Sequence, residues 1–191
     1  MSTLAKTFLT PEEYLEIERL AEHKSEFFAG EMFAMAGAAE RHNLICTNII
    51  GQLHQQTRHR PCRVYPSDMR VRVSATGLCT YPDVIALCGE PKFLDEHRDT
   101  LLNPGLIVEV LSPSTEAYDR GRKFDHYRSI ESLAEYLLVA SDRVHADLYR
   151  RQPDGLWVLS PAGEPADTVE LPSIGCGLFL AEVYEKVDFA A

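Results

Sequence analysis

Cysteine is scarce in this sequence, and the five residues present show no C-x-x-C spacing. An odd number of scattered cysteines argues against a disulfide framework and against a zinc site built from cysteine pairs. Such usage is typical of a reducing compartment, so we expect a cytoplasmic protein without a disulfide framework. The five are Cys46, Cys62, Cys79, Cys88 and Cys176.

Long apolar runs and glycine-rich phosphate loops are missing as well. No segment approaches the roughly 18 consecutive apolar residues that a membrane span requires. The first residues, MSTLAKTFLTPEEY, lack the apolar core and cleavage site of a signal peptide. Without a phosphate loop, use of ATP is not expected. A chain of 191 residues can bury one sizeable core, so we expect a single domain over residues 1–191.

Basic residues are in deficit overall, since the formal net charge is -10. A protein that contacts nucleic acid over a wide face is usually basic, so this balance argues against such a face. The charge is uneven, however. Residues 57–72 hold five arginines against one aspartate, and residues 119–128 hold four basic against two acidic side chains. These segments are either a local nucleic-acid contact or ordinary solvated surface, and the sequence leaves both open.

Helical and strand-like patterns alternate along the chain. Thr10, Pro11 and Glu13 form an N-cap, a first-turn proline and a capping-box acid ahead of a short amphipathic helix. A hairpin is expected over 26–37 and a long helix from 39 to 59. Later apolar runs predict more strands and a second long helix, which together indicate an α/β fold with a mixed sheet. The expected strands are 62–73 (one interrupted strand or two short ones), 83–88, 106–111, 135–140, 144–151 and 156–160, and the second helix is 116–130.

One carboxylate stands inside a strand that should be buried on both faces. The run LIVEVL, residues 106–111, is wholly apolar except for Glu109. If this strand pairs in antiparallel fashion with residues 83–88, Asp83 lies near Glu109, with Cβ atoms about 5–8 Å apart. Two carboxylates so close repel each other unless a proton or cation lies between them, and Mg²⁺ prefers such oxygen ligands. The pattern predicts a divalent-metal site at Asp83 and Glu109.

A lysine follows the same strand on the next expected helix. Asp119, Lys123 and Tyr127 are spaced four residues apart, so they share one helical face close to the strand end. A lysine there can orient an attacking hydroxide and offset the charge of the transition state. The alternative is structural, with Asp119 and Lys123 as a surface ion pair and Glu109 as the partner of an arginine. Spacing alone does not decide between them.

Three strings together resemble the Uma-two family of nucleases, which has the restriction-endonuclease-like fold of the PD-(D/E)XK superfamily. They are YPDVIAL at 81–87, IVEVLSPST at 107–115, and the D-x-x-x-K-x-x-x-Y pattern that starts at Asp119. The likeness extends to SEFFAGEMFAMAG, ERHNLI and LAEYLLVA and covers nearly the whole chain. It implies an α/β fold with a restriction-endonuclease-like core, in which a mixed β-sheet is flanked by helices and accompanied by an N-terminal helix and hairpin.

The resemblance also implies a metal site and a catalytic lysine. Asp83 and Glu109 correspond to the metal-binding acids, and Mg²⁺ or Mn²⁺ is the implied cofactor. Leu111 stands where the superfamily has its lysine, two residues after the second acid. The family supplies this lysine from the following helix, which makes Lys123 the implied catalytic lysine.

Further polar residues match the family less specifically. Glu31 in the hairpin and His42 near the start of the long helix are implied as additional catalytic members, and Glu26 belongs to the likeness. Each also has a structural interpretation, as hairpin surface for Glu31 and as a core or capping histidine for His42. Family members often carry an acid where this chain has Ala140, so that acid has either moved to Asp142 or is dispensable.

The function implied by the resemblance is a Mg²⁺-dependent endonuclease that hydrolyses phosphodiester bonds of nucleic acid, with DNA as the expected substrate. Because one small domain cannot easily cut both strands, a homodimer is expected. The alternative is a catalytically silent member of the same fold that binds nucleic acid or protein. A metal hydrolase of small phosphoesters is a third hypothesis and agrees better with the acidic net charge. The joint presence of Asp83, Glu109 and Lys123 favours the nuclease over the silent member.

Overall fold

The computed structural model describes residues 8–190. Residues 1–7, which form part of the amino-terminal stretch interpreted above, and residue 191 lie outside the described residues. Among the helices of residues 8–190, none is both long enough and apolar enough to cross a membrane.

Helices and strands alternate along the described chain, as the sequence patterns predict. The helices are α1 (Pro11–Leu20), α2 (Glu40–Thr57), α3 (Glu116–Tyr118), α4 (Phe124–Tyr127) and α5 (Leu180–Val183), and a π-helical segment (Asp119–Lys123) joins α3 to α4. The strands of the first half are β1 (Ser25–Phe28), β2 (Glu31–Ala34), β3 (Cys62–Pro66), β4 (Arg70–Arg72), β5 (Cys79–Thr80), β6 (Val84–Cys88) and β7 (Thr100–Leu101). The strands of the second half are β8 (Leu106–Leu111), β9 (Glu135–Ala140), β10 (Ala146–Arg151), β11 (Trp157–Ala162), β12 (Thr168–Leu171) and β13 (Cys176–Phe179).

A six-stranded mixed sheet forms the centre of the structure, in the order β11-β10-β9-β8-β6-β3. Strands β8 and β9 run parallel, and the other neighbours are antiparallel. The predicted antiparallel pairing of the two acid-bearing strands is confirmed, since Val84 of β6 lies opposite Val108 of β8. Continued by one residue, this register sets Asp83 opposite Glu109.

Both faces of the central sheet are buried, because successive side chains of β8 point into two different apolar cores. Val108 and Val110 belong to the core that includes α2 and the hairpin β12–β13. Ile107 and Leu111 belong to the core on the opposite face, with residues of β4, β7 and α4. Burying one such side chain stabilises the fold by about 1.5–3 kcal/mol. Glu109 lies between Ile107 and Leu111 and therefore faces the second core.

A second, five-stranded sheet carries the amino-terminal helix and hairpin, in the order β2-β1-β5-β4-β7. The predicted cap of α1 is confirmed, because Thr10 and Glu13 exchange the two hydrogen bonds of a capping box. Tyr14 of α1 stacks on Phe27 of β1 with ring centroids 4.8 Å apart. This packing attaches α1 to the hairpin. The side chain of the preceding residue of β1, Glu26, points to the other face of the strand and contacts different partners.

Three segments show where the predicted elements agree with the structure and where they differ. The helix expected over 116–130 is broken by the π-helical segment and ends at Tyr127. Residues 62–73, expected as one interrupted strand or two short ones, form two short strands in different sheets, because the chain turns between β3 and β4. The hairpin β12–β13 has no counterpart among the predicted strands, since each of its strands is only four residues long.

One pair of cysteines corrects the expectation drawn from their spacing. Cys62 on β3 and Cys88 on β6 lie opposite each other in the antiparallel register and form a disulfide. The prediction against disulfides is therefore wrong for this pair, because the fold brings together two cysteines 26 residues apart. The remaining three, Cys46, Cys79 and Cys176, are free thiols.

Candidate active site

The buried glutamate of β8 has partners from the helical segment that follows the strand. Glu109 is 4% exposed, and its Oε1 accepts a hydrogen bond of 2.8 Å from the Tyr127 hydroxyl. The ammonium group of Lys123 lies 2.9 Å from the same oxygen. The chain therefore folds back over the strand so that Lys123 and Tyr127 both contact Glu109.

Three carboxylates surround the Lys123 ammonium, which is itself buried at 6% exposure. Besides Glu109, Asp119 lies 3.4 Å and Glu26 3.5 Å from its Nζ atom. Glu26 comes from β1 of the second sheet and accepts a short hydrogen bond from the hydroxyl of Thr80. The site thus combines residues from both sheets and from the π-helical segment.

The structural alternative for these residues is wrong in two respects. Asp119 is only 3% exposed, and Lys123 is equally enclosed, so they are not a surface ion pair. The cation that contacts Glu109 is Lys123 rather than an arginine. Burying a charged group costs free energy unless the group is paired, so a solvated surface ion pair does not account for this arrangement.

The charges in this cluster do not balance. Burial raises the pKa of Glu109 to about 8, against the opposing effect of Lys123. Burial also raises the pKa of Asp119. For Lys123 burial alone would lower the pKa, but Glu109, Glu26 and Asp119 outweigh it and hold the pKa well above its usual value. We conclude that Lys123 stays charged while the surplus of carboxylates retains a proton at neutral pH.

Asp83 adds a fourth carboxylate at the start of β6. Its Oδ2 accepts a 2.8 Å hydrogen bond from the main-chain N–H of Val110, the residue that follows Glu109. The same oxygen lies 3.1 Å from Nε2 of His42 on α2. The charge of Asp83 contributes to the raised pKa of Glu109, as expected for two carboxylates on opposed positions.

The donor set of this site fits a hard divalent cation. Asp83 and Glu109 offer carboxylate oxygens, which are the ligands that Mg²⁺ and Mn²⁺ prefer. Three carboxylates contact one ammonium, and Asp83 adds a fourth negative charge opposite Glu109, so the cluster is short of positive charge whenever it is fully ionised. A divalent cation would correct that deficit and allow Glu109 to lose its proton. The residues therefore fit the predicted metal, with Asp83 and Glu109 as its protein ligands.

The π-helical segment is attached to the central sheet by an arginine. Arg120 forms ion pairs of 2.7 Å with Glu116 of α3 and with Asp147 of β10. A π-helical turn inserts one extra residue and occurs often at functional sites. Here it carries Asp119 at its first position and Lys123 at its last. The two ion pairs of Arg120 therefore hold the segment that carries Asp119 and Lys123 against the central sheet.

The remaining predicted positions are distributed unevenly. His42 contacts Asp83 and so belongs to the site, although its catalytic role stays a prediction. Glu31 lies at the turn of the hairpin opposite Phe28, and the hairpin residue that contacts Lys123 is Glu26. Glu31 also stays a prediction. Asp142 is exposed and pairs with the neighbouring Arg143, and its substitution for an acid at position 140 stays a prediction.

The arginine-rich segment 57–72 is dispersed by the fold. Arg70 is 2% exposed and forms hydrogen bonds inside the protein. Arg60 donates to two main-chain carbonyl groups in the turn between β12 and β13. Arg63 lies beside the far end of β6, about 13 Å along the strand from Asp83. Arg70 is therefore neither a nucleic-acid contact nor solvated surface, and Arg63 lies at the other end of the strand from Asp83.

The fold is that of the restriction-endonuclease-like nucleases. A crystal structure of "a putative nuclease belonging to DUF820" from Anabaena variabilis ATCC 29413 superposes with a TM-score of 0.76. The match covers 93% of this chain and 98% of that chain at 18% sequence identity. At this identity the comparison shows the shared fold.

The chain belongs to the Uma2 (Uma-two) family. The model of this family, described as "Putative restriction endonuclease", matches residues 11–182. Two proteins of Synechocystis sp. (strain PCC 6803) are similar over most of their length. "Uncharacterized protein slr1290" is 37% identical over 95% of this chain and 94% of its own length. "Uncharacterized protein sll1609" is 38% identical over 87% of this chain and 96% of its own length. The predicted family is thereby confirmed.

Proposed function

We propose that this protein is a metal-dependent endonuclease that hydrolyses phosphodiester bonds of nucleic acid, with DNA as substrate. The observation that supports it best is the buried Lys123 ammonium, 2.9 Å from Glu109 in a cluster of carboxylates. A lysine beside two metal-binding acids is the group that this chemistry requires. The family membership and the fold agree with this assignment.

Each residue of the cluster has a distinct task in the proposed reaction. Asp83 and Glu109 hold the metal, and the main-chain N–H of Val110 orients Asp83. A bound Mg²⁺ or Mn²⁺ would supply Lewis-acid polarisation of the phosphate and activation of water. Lys123 offsets negative charge that develops at phosphorus. The Tyr127 hydroxyl orients Glu109 so that its carboxylate keeps a single position.

The assembly belongs to the proposal as well. One chain, taken as a single domain, contributes one such cluster, and cleavage of both DNA strands requires two. We therefore propose that the active form is a homodimer that uses Mg²⁺ or Mn²⁺.

Cleavage of plasmid and single-stranded DNA by wild type and variants tests the proposal. With Mg²⁺ or Mn²⁺, we expect Asp83→Asn, Glu109→Gln and Lys123→Ala to lower kcat by about 10²–10³, as for loss of an electrostatic stabiliser. The matched control is Lys92→Ala, because Lys92 is an exposed lysine outside the cluster and should leave kcat unchanged. Each ion should also raise the melting temperature of wild type, and Asp83→Asn should abolish that rise.

Folding of the variants must be checked, since Lys123 is buried. Its removal leaves carboxylates without their cation and can cost about 3–5 kcal/mol. Far-ultraviolet circular dichroism identifies a variant that has unfolded, and Glu109→Gln, which keeps the side-chain volume, then decides the question. Cleavage by folded Glu109→Gln and Asp83→Asn at the wild-type rate would show that the assigned site is wrong.

A further inference from the structure

A second group of potential metal ligands borders the cluster and includes a cysteine. His42 and Cys46 lie one helical turn apart on α2, so both side chains lie on the same face of the helix. This face meets Asp83, whose Oδ2 is 3.1 Å from Nε2 of His42. The Cys46 sulfur is 3.6 Å from Nδ1 of the same ring. One ligand atom from each residue lies within 4.8 Å of the other two.

These distances are close to those of a tetrahedral ion site. Zinc binds sulfur at about 2.3 Å and nitrogen or oxygen at about 2.0–2.2 Å, which separates neighbouring ligand atoms by about 3.5 Å. Asp83 and Cys46 contact the two different nitrogens of the His42 ring, so the ring must turn to aim one nitrogen at an ion that the other two residues also bind. All three residues are partly accessible, so an ion can enter from solvent.

We propose that His42, Cys46 and Asp83 form a binding site for a borderline-soft divalent ion of the Zn²⁺ class. The mixed nitrogen, sulfur and oxygen donors select such an ion, whereas Mg²⁺ avoids sulfur and imidazole. Three protein ligands leave a fourth position for water, as in an open zinc site. This site is distinct from the Asp83–Glu109 site for a hard ion, although the two share Asp83.

The surroundings of the thiol favour an ion over a nucleophile. The chain Cys46–His42–Asp83 has the contact order of a cysteine nucleophile with its base. A reactive cysteine, however, lies in electropositive surroundings that lower its pKa. The groups beside the Cys46 sulfur are instead the imidazole of His42, 3.6 Å away, and the carboxylate of Asp83, neither of which carries a fixed positive charge. A bound divalent ion supplies the missing positive charge and takes the sulfur as thiolate.

Sharing Asp83 has a consequence that rests on the proposed function. An ion held by His42, Cys46 and Asp83 withdraws a ligand from the hard-ion site beside Glu109. Zn²⁺ should therefore inhibit cleavage that is driven by Mg²⁺.

Co²⁺ absorption and Zn²⁺ calorimetry on the oxidised full-length protein test the site, since Cys62 and Cys88 are then bonded to each other. We expect wild type to show the near-ultraviolet charge-transfer band of a Co²⁺–thiolate bond. Cys46→Ser should abolish the band, and Cys46→Ser or His42→Asn should weaken Zn²⁺ binding by at least the 10–100-fold that loss of an outer partner costs. His54→Asn and Cys176→Ser are matched controls, since His54 is an exposed residue of the same helix and Cys176 a free thiol elsewhere.

The outcomes separate this inference from the proposed function. A Co²⁺ spectrum without a thiolate band, or equal Zn²⁺ affinity in wild type and Cys46→Ser, would overturn the site whether or not the protein cleaves DNA. A thiolate band that is kept in His54→Asn and Cys176→Ser and is lost in Cys46→Ser supports it equally in the absence of cleavage. Failure of wild type to cleave any substrate with Mg²⁺ or Mn²⁺ would count against the nuclease alone.

Discussion

At the scale of a single residue, the charged form of Glu109 is disfavoured in the metal-free protein and would be favoured once a divalent cation is bound. Its carboxylate is enclosed by apolar residues of β8 and receives hydrogen bonds from Tyr127 and Lys123. Burial disfavours its charged form more than Lys123 favours it, so its pKa rises to about 8. A divalent cation would reverse this preference by adding charge next to the carboxylate.

The raised pKa of Glu109 predicts how stability varies with pH in the metal-free protein. The folded state keeps a proton on Glu109 between the usual pKa of 4.5 and the folded value of about 8, whereas the unfolded state loses it. The stabilisation is therefore complete below about pH 4.5 and is lost as pH rises through about 8. With EDTA present, we expect the free energy of unfolding of wild type to fall relative to that of Glu109→Gln by about 1.4 kcal/mol per pH unit in this window.

Urea denaturation of both proteins at a series of pH values measures this difference. The comparison with Glu109→Gln cancels the titration of the histidines, which both proteins share. Parallel stability curves for the two proteins between pH 5 and 8 would contradict the assigned pKa.

Among the secondary-structure elements, Arg70 connects its own strand β4 with β7, with the residue that follows β5 and, through Asp99, with α1. Its guanidinium forms a 3.0 Å ion pair with Asp99 and donates to Thr100 at 2.9 Å and to Tyr81 at 3.1 Å. Asp99 in turn pairs with Arg19 of α1 at 2.8 Å. Two arginines therefore share one carboxylate, which holds α1 against the strand pair β4–β7.

We expect Arg70→Gln to lower the free energy of unfolding by about 2 kcal/mol or more, because it removes several charged hydrogen bonds and leaves buried partners unsatisfied. The matched control is Arg63→Gln. Arg63 is exposed on β3, so its replacement should change stability by less than about 0.5 kcal/mol. Urea midpoints measure both effects. Equal stability of the two variants would show that Arg70 does not hold these elements together.

At the scale of the whole molecule, the proposed function requires an acidic protein to bind a polyanion. The net charge is -10, and four of the carboxylates lie together in the cluster. Arg60 and Arg63 of segment 57–72 lie away from it, and Arg70 is buried. Phosphate groups near Asp83 and Glu109 therefore meet repulsion until a divalent ion is bound. The ion would attract the substrate as well as activate it.

DNA affinity should consequently depend on a divalent ion. We expect binding to a labelled oligonucleotide to be at least about tenfold weaker in EDTA than in Ca²⁺, a hard ion that takes the same oxygen ligands. The salt dependence should be shallow, since few phosphates are neutralised by lysine or arginine. Fluorescence anisotropy measures both quantities, and Glu109→Gln should lose the response to Ca²⁺. Equal affinity of wild type in Ca²⁺ and in EDTA would show that basic side chains, and not the ion, hold the DNA.

Local patterns sufficed for much of this fold and for the central part of the site. The capping box of α1 depends on residues three positions apart, so the sequence predicts it directly. The apolar runs predict β6 and β8 because burial on both faces leaves no room for polar residues. The single carboxylate in the apolar strand β8, together with antiparallel pairing of β6 and β8, predicts that Glu109 lies opposite Asp83. The lysine on the following helix predicts the third member, Lys123.

Other features depend on contacts between residues far apart in the chain. The prediction of a continuous helix after β8 misses the π-helical turn. This turn is attached to β10 by the ion pair of Arg120 with Asp147, which lies 27 residues further along the chain and is not visible in local spacing. Glu26 joins the cluster only because β1 lies beside β5 in the second sheet. Spacing of cysteines could not reveal the disulfide, which requires the register of β3 and β6.

The amino-acid order alone was enough to predict the helices and strands with strong local signals, the three chemical groups of the proposed nuclease site, and the family. These depend on side-chain type and short spacing, which the linear order contains. The folded structure was needed to show that Lys123 is buried among carboxylates, that Arg70 is structural, and that His42 and Cys46 lie next to Asp83. These facts depend on which surfaces pack together, because burial and neighbouring charge are properties of the folded chain and not of any single segment.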